Sequence, residues 1–371
     1  MHHKKAMKIT SISVPMGIIL SLHGKEYSRA VEDFFKYYSY YFTATLHLFC
    51  IYLLLAGITS AYYVHDFKQG FAYMFINVLS IALHYSMQSQ EKNFRILIFF
   101  LNSNPNLSRN YINKNYTHLK ILVLLNNFIL PVILSAVFTY LTRDEDDASE
   151  FWTLRYPLED NRNRAVINFI GSHIYFSVYV TYPCFFAISM LLLIQRCVFF
   201  LRQFYKNLKN IDSIALSAKS TKIANEYYRI EEKISLLSNV LSTPLFIILL
   251  NSFFNLYGAL SISLQQNLSP YYVFEMCCCA FTGIVVIVSL TICNSRIPEW
   301  MLKIKGTTGS VIDKYKFYKL TDKRTIDLFE RMERKDVIFM SACGMVLFKR
   351  SFLLSAFGAL FTYGVLLVNL K

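Results

Sequence analysis

Few residues in this 371-residue chain have types and spacing that could carry a reaction. The eight histidines are isolated. His47, His65, His84, His118 and His173 each fall in a different segment, and His2, His3 and His23 lie near the start. No HExxH, GxSxG, GxGxxG or phosphate loop is present. The eight cysteines form no metal framework: Cys277, Cys278 and Cys279 stand in a row, and no pair with zinc spacing is followed by a second pair. No catalytic residue, metal or cofactor is expected. The acids Asp144, Glu145, Asp146 and Asp147 form a cluster, which reads as a solvated loop or as a vestibule that concentrates cations. The more specific chemistry lies in Gly358–Lys371, "GALFTYGVLLVNLK". At about 100° per residue, Thr362, Leu366 and Asn369 share one helix face, with Leu370 at its edge. A hydrophobic ring between polar residues can close a pore by dewetting and pass hydrated cations when it widens. Thr362 and Asn369 could equally bond neighbouring helices, or meet water at the membrane interface.

The elements that position these residues are membrane helices. The chain is 54% hydrophobic and only 17% charged, and its apolar runs reach the roughly 20 residues needed to cross a bilayer. Seven spans are expected, at about Thr43–Tyr63, Phe71–Gln90, Leu119–Leu141, Ile170–Ile194, Leu241–Leu264, Tyr271–Asn294 and Ser351–Leu370. Pro131 and Pro183 fall inside the third and fourth, where kinks are tolerated. No cleavable signal is evident, so the first span is expected to direct insertion. The twelve-residue run Val337–Phe348 is too short to span and is followed by Lys349 and Arg350. It is expected to be a buried half-helix, which makes the seventh helix a split one.

Loop charge sets the orientation. The formal charge of +14 collects before the first span and between spans two and three, four and five, and six and seven. The alternate loops are short, acidic or uncharged. The excess is that of basic cytoplasmic loops, with no motif for nucleic acid. The N-terminus is then cytoplasmic and the C-terminus extracellular. The sequons at Asn106 and Asn115 fall in a loop this topology places inside, and that at Asn267 lies against the membrane beside Pro270. Tyr227, Ile230, Ile234 and Leu237 recur at helical spacing among charges. Membrane helices therefore extend inward over about 196–240 and pack as a cytoplasmic bundle. The expected organisation is a cytoplasmic segment over 1–42, six spans over 43–294, a cytoplasmic loop with the half-helix over 295–350, and a last span over 351–371. The fold class is all-α.

"LFTYGVLLVNLK", Leu360–Lys371, resembles the end of the insect odorant receptor family, with its Thr-Tyr pair, apolar run and terminal amide. "MSACGMVLF" before Lys349 and Arg350 resembles that family's split seventh helix. Gustatory receptors share the Thr-Tyr pair and are the nearest rivals; a G-protein-coupled receptor would need the opposite topology. A short loop between spans four and five points to an odour-tuning subunit rather than the co-receptor. The resemblance implies a ligand-gated cation channel in a sensory-neuron plasma membrane, a tetramer completed by co-receptor subunits and gated by a small volatile odorant. It places Leu366 and Leu370 at the gate, and Asn369 in the place of a pore-lining Gln. It puts the odorant in the outer halves of spans two, three, four and six. Those halves hold Phe71, Met74, Phe75, Val78, Ser135, Phe138, His173, Phe176, Tyr179, Tyr272 and Met276. Aromatics and Met with few polar groups suit a small apolar ligand.

Overall fold

The computed structural model describes residues 29–64, 67–102, 122–123, 125–143, 145–211, 213–263, 268–317 and 323–369. The chain is built almost wholly of helices. In order they are α1 (Arg29–Val64), α2 (Phe67–Ser89), α3 (Glu91–Asn102), α4 (Leu130–Leu141), α5 (Asp146–Trp152), α6 (Asn161–Phe176), α7 (Tyr182–Lys209), α8 (Ser213–Ser263), α9 (Pro270–Phe317), α10 (Lys323–Arg334) and α11 (Ser351–Asn369). Among the described residues, four helical stretches are long and apolar enough to cross a membrane: Thr43–Ser60, Asn161–Lys209, Ala218–Ser263 and Pro270–Lys314. Leu125–Leu141 and Ser351–Leu366 are shorter apolar helices. This is a multi-pass helical membrane protein.

Three long helices carry the core. On α7, Phe186, Met190, Leu193, Cys197, Leu201 and Phe204 are buried; on α8, Ile234, Leu237, Leu241, Leu245 and Ile248; on α9, Val286, Leu290, Ile297, Met301 and Ile304. Each series steps by three, four or seven residues, so each helix turns one apolar stripe inward. The stripes run on past the expected membrane boundaries. α8 is 51 residues long and α9 is 48, each about twice the length of a span. Tyr227, Ile230, Ile234 and Leu237, picked out by spacing, are all buried. This end of the bundle is cross-linked by polar contacts: Lys335 pairs with Glu231 at 3.1 Å, Lys316 with Glu330 at 3.0 Å, and the Thr325 hydroxyl donates to Ser220 at 3.2 Å.

Two π-turns interrupt the helices, at Leu125–Ile129 before α4 and at Ser177–Thr181 between α6 and α7. Each precedes a proline, Pro131 or Pro183, at the opening of the next helix. A proline gives no N–H and its ring crowds the carbonyl four residues back; a widened turn just upstream relieves both. The kinks expected at these prolines are thus resolved as local over-winding of the hydrogen-bond ladder. The two π-turns touch, through the Asn126 side-chain amide donating to the Thr181 carbonyl at 3.1 Å.

The half-helix expected over Val337–Phe348 is not formed. Residues 336–340 form neither helix nor strand, and Ser341–Ala342 pairs antiparallel with Val346–Leu347 in a small hairpin. The reason is local: Cys343 and Gly344 both adopt positive φ, 50° and 70°, which a right-handed helix does not allow. The hairpin is pinned to α8 by the Cys343 N–H donating to the Ser242 hydroxyl at 3.0 Å. Its apolar residues Met340, Ala342 and Phe348 are fully buried. The hairpin separates the last helix from α10, which is strongly amphipathic, with Thr325, Phe329 and Met332 buried.

Candidate functional site

The residues that could bind a small apolar molecule converge at one end of α4, α6 and α9. Phe138 lies at the centre, with ring centroids 6.3 Å from Trp152, 6.1 Å from Phe176 and 5.8 Å from Tyr271. Tyr175 stands 4.4 Å from Tyr179 and 6.4 Å from Trp152, and Tyr271 lies 4.4 Å from Tyr272. Most pairs are edge-to-face, the arrangement that ring quadrupoles favour. The polar groups are few. The Tyr175 hydroxyl meets the Cys279 thiol at 3.3 Å, the Asn77 side chain hydrogen-bonds that of Tyr179, and Glu275 is buried nearby.

Trp152 closes this cluster from the acidic connection, which the sequence alone presents as a solvated loop or a cation-concentrating vestibule. That connection instead folds into α5, and its last residue turns inward to 6% exposure. Leu154 and Arg155 follow with positive φ, 56° and 70°, and reverse the chain. The reversal is held by the Arg155 N–H donating to the Glu150 carbonyl at 2.6 Å and by the Arg155 guanidinium reaching Ser60 at 3.3 Å. The carbonyl of Trp152, at a helix end with no intrahelical donor, accepts the Tyr52 hydroxyl at 2.5 Å. Tyr52→Phe removes only that donor. It is expected to cost about 1–3 kcal/mol, the penalty of an unmet buried acceptor. A fall in the melting temperature of detergent-purified protein checks this.

The sequence-derived ligand residues divide. Phe138, Phe176, Tyr179 and Tyr272 lie in the aromatic cluster, and Met276 is buried one turn along α9 from Tyr272. Ser135 turns back on its own helix instead, where the Pro131 carbonyl accepts its hydroxyl at 2.5 Å. His173 stacks on Phe169 at 6.2 Å. Phe75 packs on Phe254 of α8 at 4.3 Å, Met74 is half-buried, and Val78 is 54% exposed on the outer side of α2. Phe71 is on α2, and its side chain lies outside the described residues. Sequence reasoning missed Trp152, Tyr175, Tyr271 and Tyr52. The signal available for Trp152 was a Phe-Trp pair standing alone among acids.

α11 is the other candidate. It leans on α8 by one edge: a Cβ at Gly364 would lie 3.1 Å from Leu260, and the Phe352 and Phe253 rings are 6.5 Å apart. Ala356 and Gly364 are buried on that edge. Thr362 and Leu366 stand two residues to either side of Gly364, about 200° round the helix, and so point away from it. Both are exposed, Leu366 at 49%. The Thr362 hydroxyl donates back to the Gly358 carbonyl at 2.9 Å. Asn369 ends the helix with its side chain undescribed; Leu370, Asp144 and the sequons at Asn106, Asn115 and Asn267 lie outside the described residues.

The insect olfactory receptor OR5 from Machilis hrabei, in complex with eugenol, superposes with a TM-score of 0.68, at 14% identity, over 96% of this chain and 97% of that one. A second structure of the same receptor gives 0.68 at 15% identity over the same shares. The chain has the insect olfactory receptor fold. No family model and no curated protein sequence matches it.

Proposed function

We propose that this chain is an odour-tuning subunit of a ligand-gated cation channel. The observation that carries the reading is the likeness in fold, which runs over nearly the whole of both chains. Seven crossings fit the helices, with α1, α2, the Leu125–Leu141 segment, α6–α7, α8, α9 and α11 each spanning once. The N-terminus is cytoplasmic, and α10, the hairpin and the inner ends of α7, α8 and α9 make the cytoplasmic anchor. A volatile molecule with an apolar body binds among Phe138, Trp152, Phe176, Tyr179 and Tyr272. The related receptor has been seen with eugenol, and rings held edge-on with few hydrogen-bonding groups are what such a molecule needs. α11 contributes one wall of a tetrameric pore, with Thr362, Leu366, Asn369 and Leu370 toward the axis. The other walls come from co-receptor subunits in the plasma membrane of a sensory dendrite.

Co-expression with the co-receptor tests this. Volatile-evoked, non-selective cation currents are the expected result. Silence to a broad volatile panel, with the chain present at the cell surface, overturns the reading.

A further inference from the structure

Two basic helix faces meet where α7 and α9 run away from the aromatic cluster. Tyr205 of α7 and Trp300 of α9 join them, with ring centroids 5.5 Å apart. On α9, Arg296, Trp300 and Lys303 step by four and then three residues and share one stripe. On α7, Arg202, Tyr205 and Lys209 step by three and then four, with Lys206 at the edge of the same face. The five basic side chains are all exposed, while the two rings between them are half-buried. Lys303 holds its Nζ 4.4 Å over the Trp300 ring.

No acid balances these charges. α7 has none from Tyr182 to Lys209. The nearest acid on α9 is Glu299, which stands about 100° round the helix from Trp300 and pairs with Arg350 at 2.8 Å. Among the described residues, none of Arg202, Lys206, Lys209, Arg296 and Lys303 takes part in an ion pair. Like charges fixed side by side on two packed helices repel one another, and a polyanion lying between them relieves that repulsion.

We infer that this seam binds the headgroup of a polyphosphorylated inositol lipid in the cytoplasmic leaflet. The inference rests on the proposed topology, which puts this end of α7 and α9 inside. Depth and charge choose the partner. Met276–Ser295 carries no charge, so Arg296 marks where α9 leaves the hydrocarbon. Trp300 lies about 6 Å further along the helix, at the level where tryptophan and tyrosine gather on a membrane surface. Lys303 lies about 10 Å beyond Arg296. A serine headgroup carries one net charge close to the surface and meets only the upper part of this ladder. An inositol ring bearing phosphates stands further out and reaches Arg202, Arg296 and Lys303 together. The arginines offer forked hydrogen bonds to phosphate, and the lysines a point charge. Basic pockets between membrane helices on the cytoplasmic side take phosphoinositide headgroups in this way.

The test is lipid-dependent stability, which does not require the channel to open. The full-length protein is placed in phosphatidylcholine nanodiscs with phosphatidylinositol bisphosphate added as a minor lipid, and its melting temperature is measured. A saturable rise of about 2–4 °C is expected, since a ligand that binds the folded state stabilises it. Phosphatidylserine at matched total charge should give less than half of that rise. Arg202→Gln with Lys303→Gln should abolish the rise and leave the melting temperature in pure phosphatidylcholine unchanged, because both side chains are exposed. Lys222→Gln with Arg229→Gln removes the same charge from exposed positions on α8 that point away from α7, and should keep the rise. The inference is overturned by the absence of a saturable rise, by an equal rise with phosphatidylserine, by a rise that survives Arg202→Gln with Lys303→Gln, or by a full rise with soluble inositol trisphosphate. Nanodiscs offer the lipid on both faces, so these outcomes do not depend on which face is cytoplasmic. Failure of the topology is read separately, as an N-terminal tag stained on intact cells.

Discussion

Gly171→Ala is expected to destabilise the protein by about 3 kcal/mol, at the upper end for overpacking a filled interior. An alanine Cβ there would stand 2.3 Å from one carbon of the Trp152 ring and within 2.6 Å of two more. The ring has no free direction. Phe151 and Phe138 lie 4.7 and 6.3 Å from it, and its own backbone is tied to α1 through Tyr52. Either Trp152 leaves the cluster or α6 moves away from α5. Trp152 and Trp300 are the two tryptophans of the chain, so a Trp300→Phe background makes emission a local reporter. Gly171→Ala should shift that emission to the red and lower the melting temperature. Trp152→Ala alone should cost about 3–5 kcal/mol. In that background Gly171→Ala should cost almost nothing further, because the two changes act on one contact. Additive losses would show that Gly171 is kept for some reason other than this ring.

The sequence made the long elements readable and left the irregular ones hidden, for physical reasons. Apolar runs of about 20 residues admit few structures in a membrane, since every backbone group must be bonded within the segment. Helical spacing of Tyr227, Ile230, Ile234 and Leu237 carried the reading beyond the expected span into the first half of α8, where all four are buried. The run Val337–Phe348 misled because its composition suits a buried helix. The deciding feature was the positive φ at Cys343 and Gly344, a two-residue fact that periodicity does not report. The aromatic cluster was half legible. Phe138, Phe176, Tyr179 and Tyr272 were reached only through what the family resemblance implies about which helix halves hold the ligand. Trp152 was not, because it arrives from a connection whose charges announce solvent. The exposure of Val78 shows the limit of naming residues by depth: depth does not fix the side of a helix, and an error of about 100° turns a side chain from core to lipid.

Leu366→Ala is expected to raise the resting current of the co-expressed channel several-fold while leaving surface expression unchanged. The two halves of this expectation come from different observations. Leu366 is 49% exposed in the subunit and points away from the Gly364 edge by which α11 rests on α8. Truncating a side chain with so little buried contact costs little stability, within about 0.5 kcal/mol for surface positions away from special features. The leak follows from the proposed pore: a hydrophobic constriction holds water out only while it is narrow, and removing three carbons at one wall widens it. Val365 supplies the control. It is 45% exposed, nearly as much as Leu366, but lies about 100° round the helix from it. Val365→Ala should leave the resting current as it is. Odour ranking should be the same in both variants, because the aromatic cluster lies on other helices. If both substitutions leak equally, or neither does, then α11 meets lipid or a neighbour on that face and the pore wall lies elsewhere. A leak from Leu366→Ala alone fixes the rotation of the helix about its axis. Thr362, on the same face four residues earlier, is then the next position where a charge should alter which ions pass.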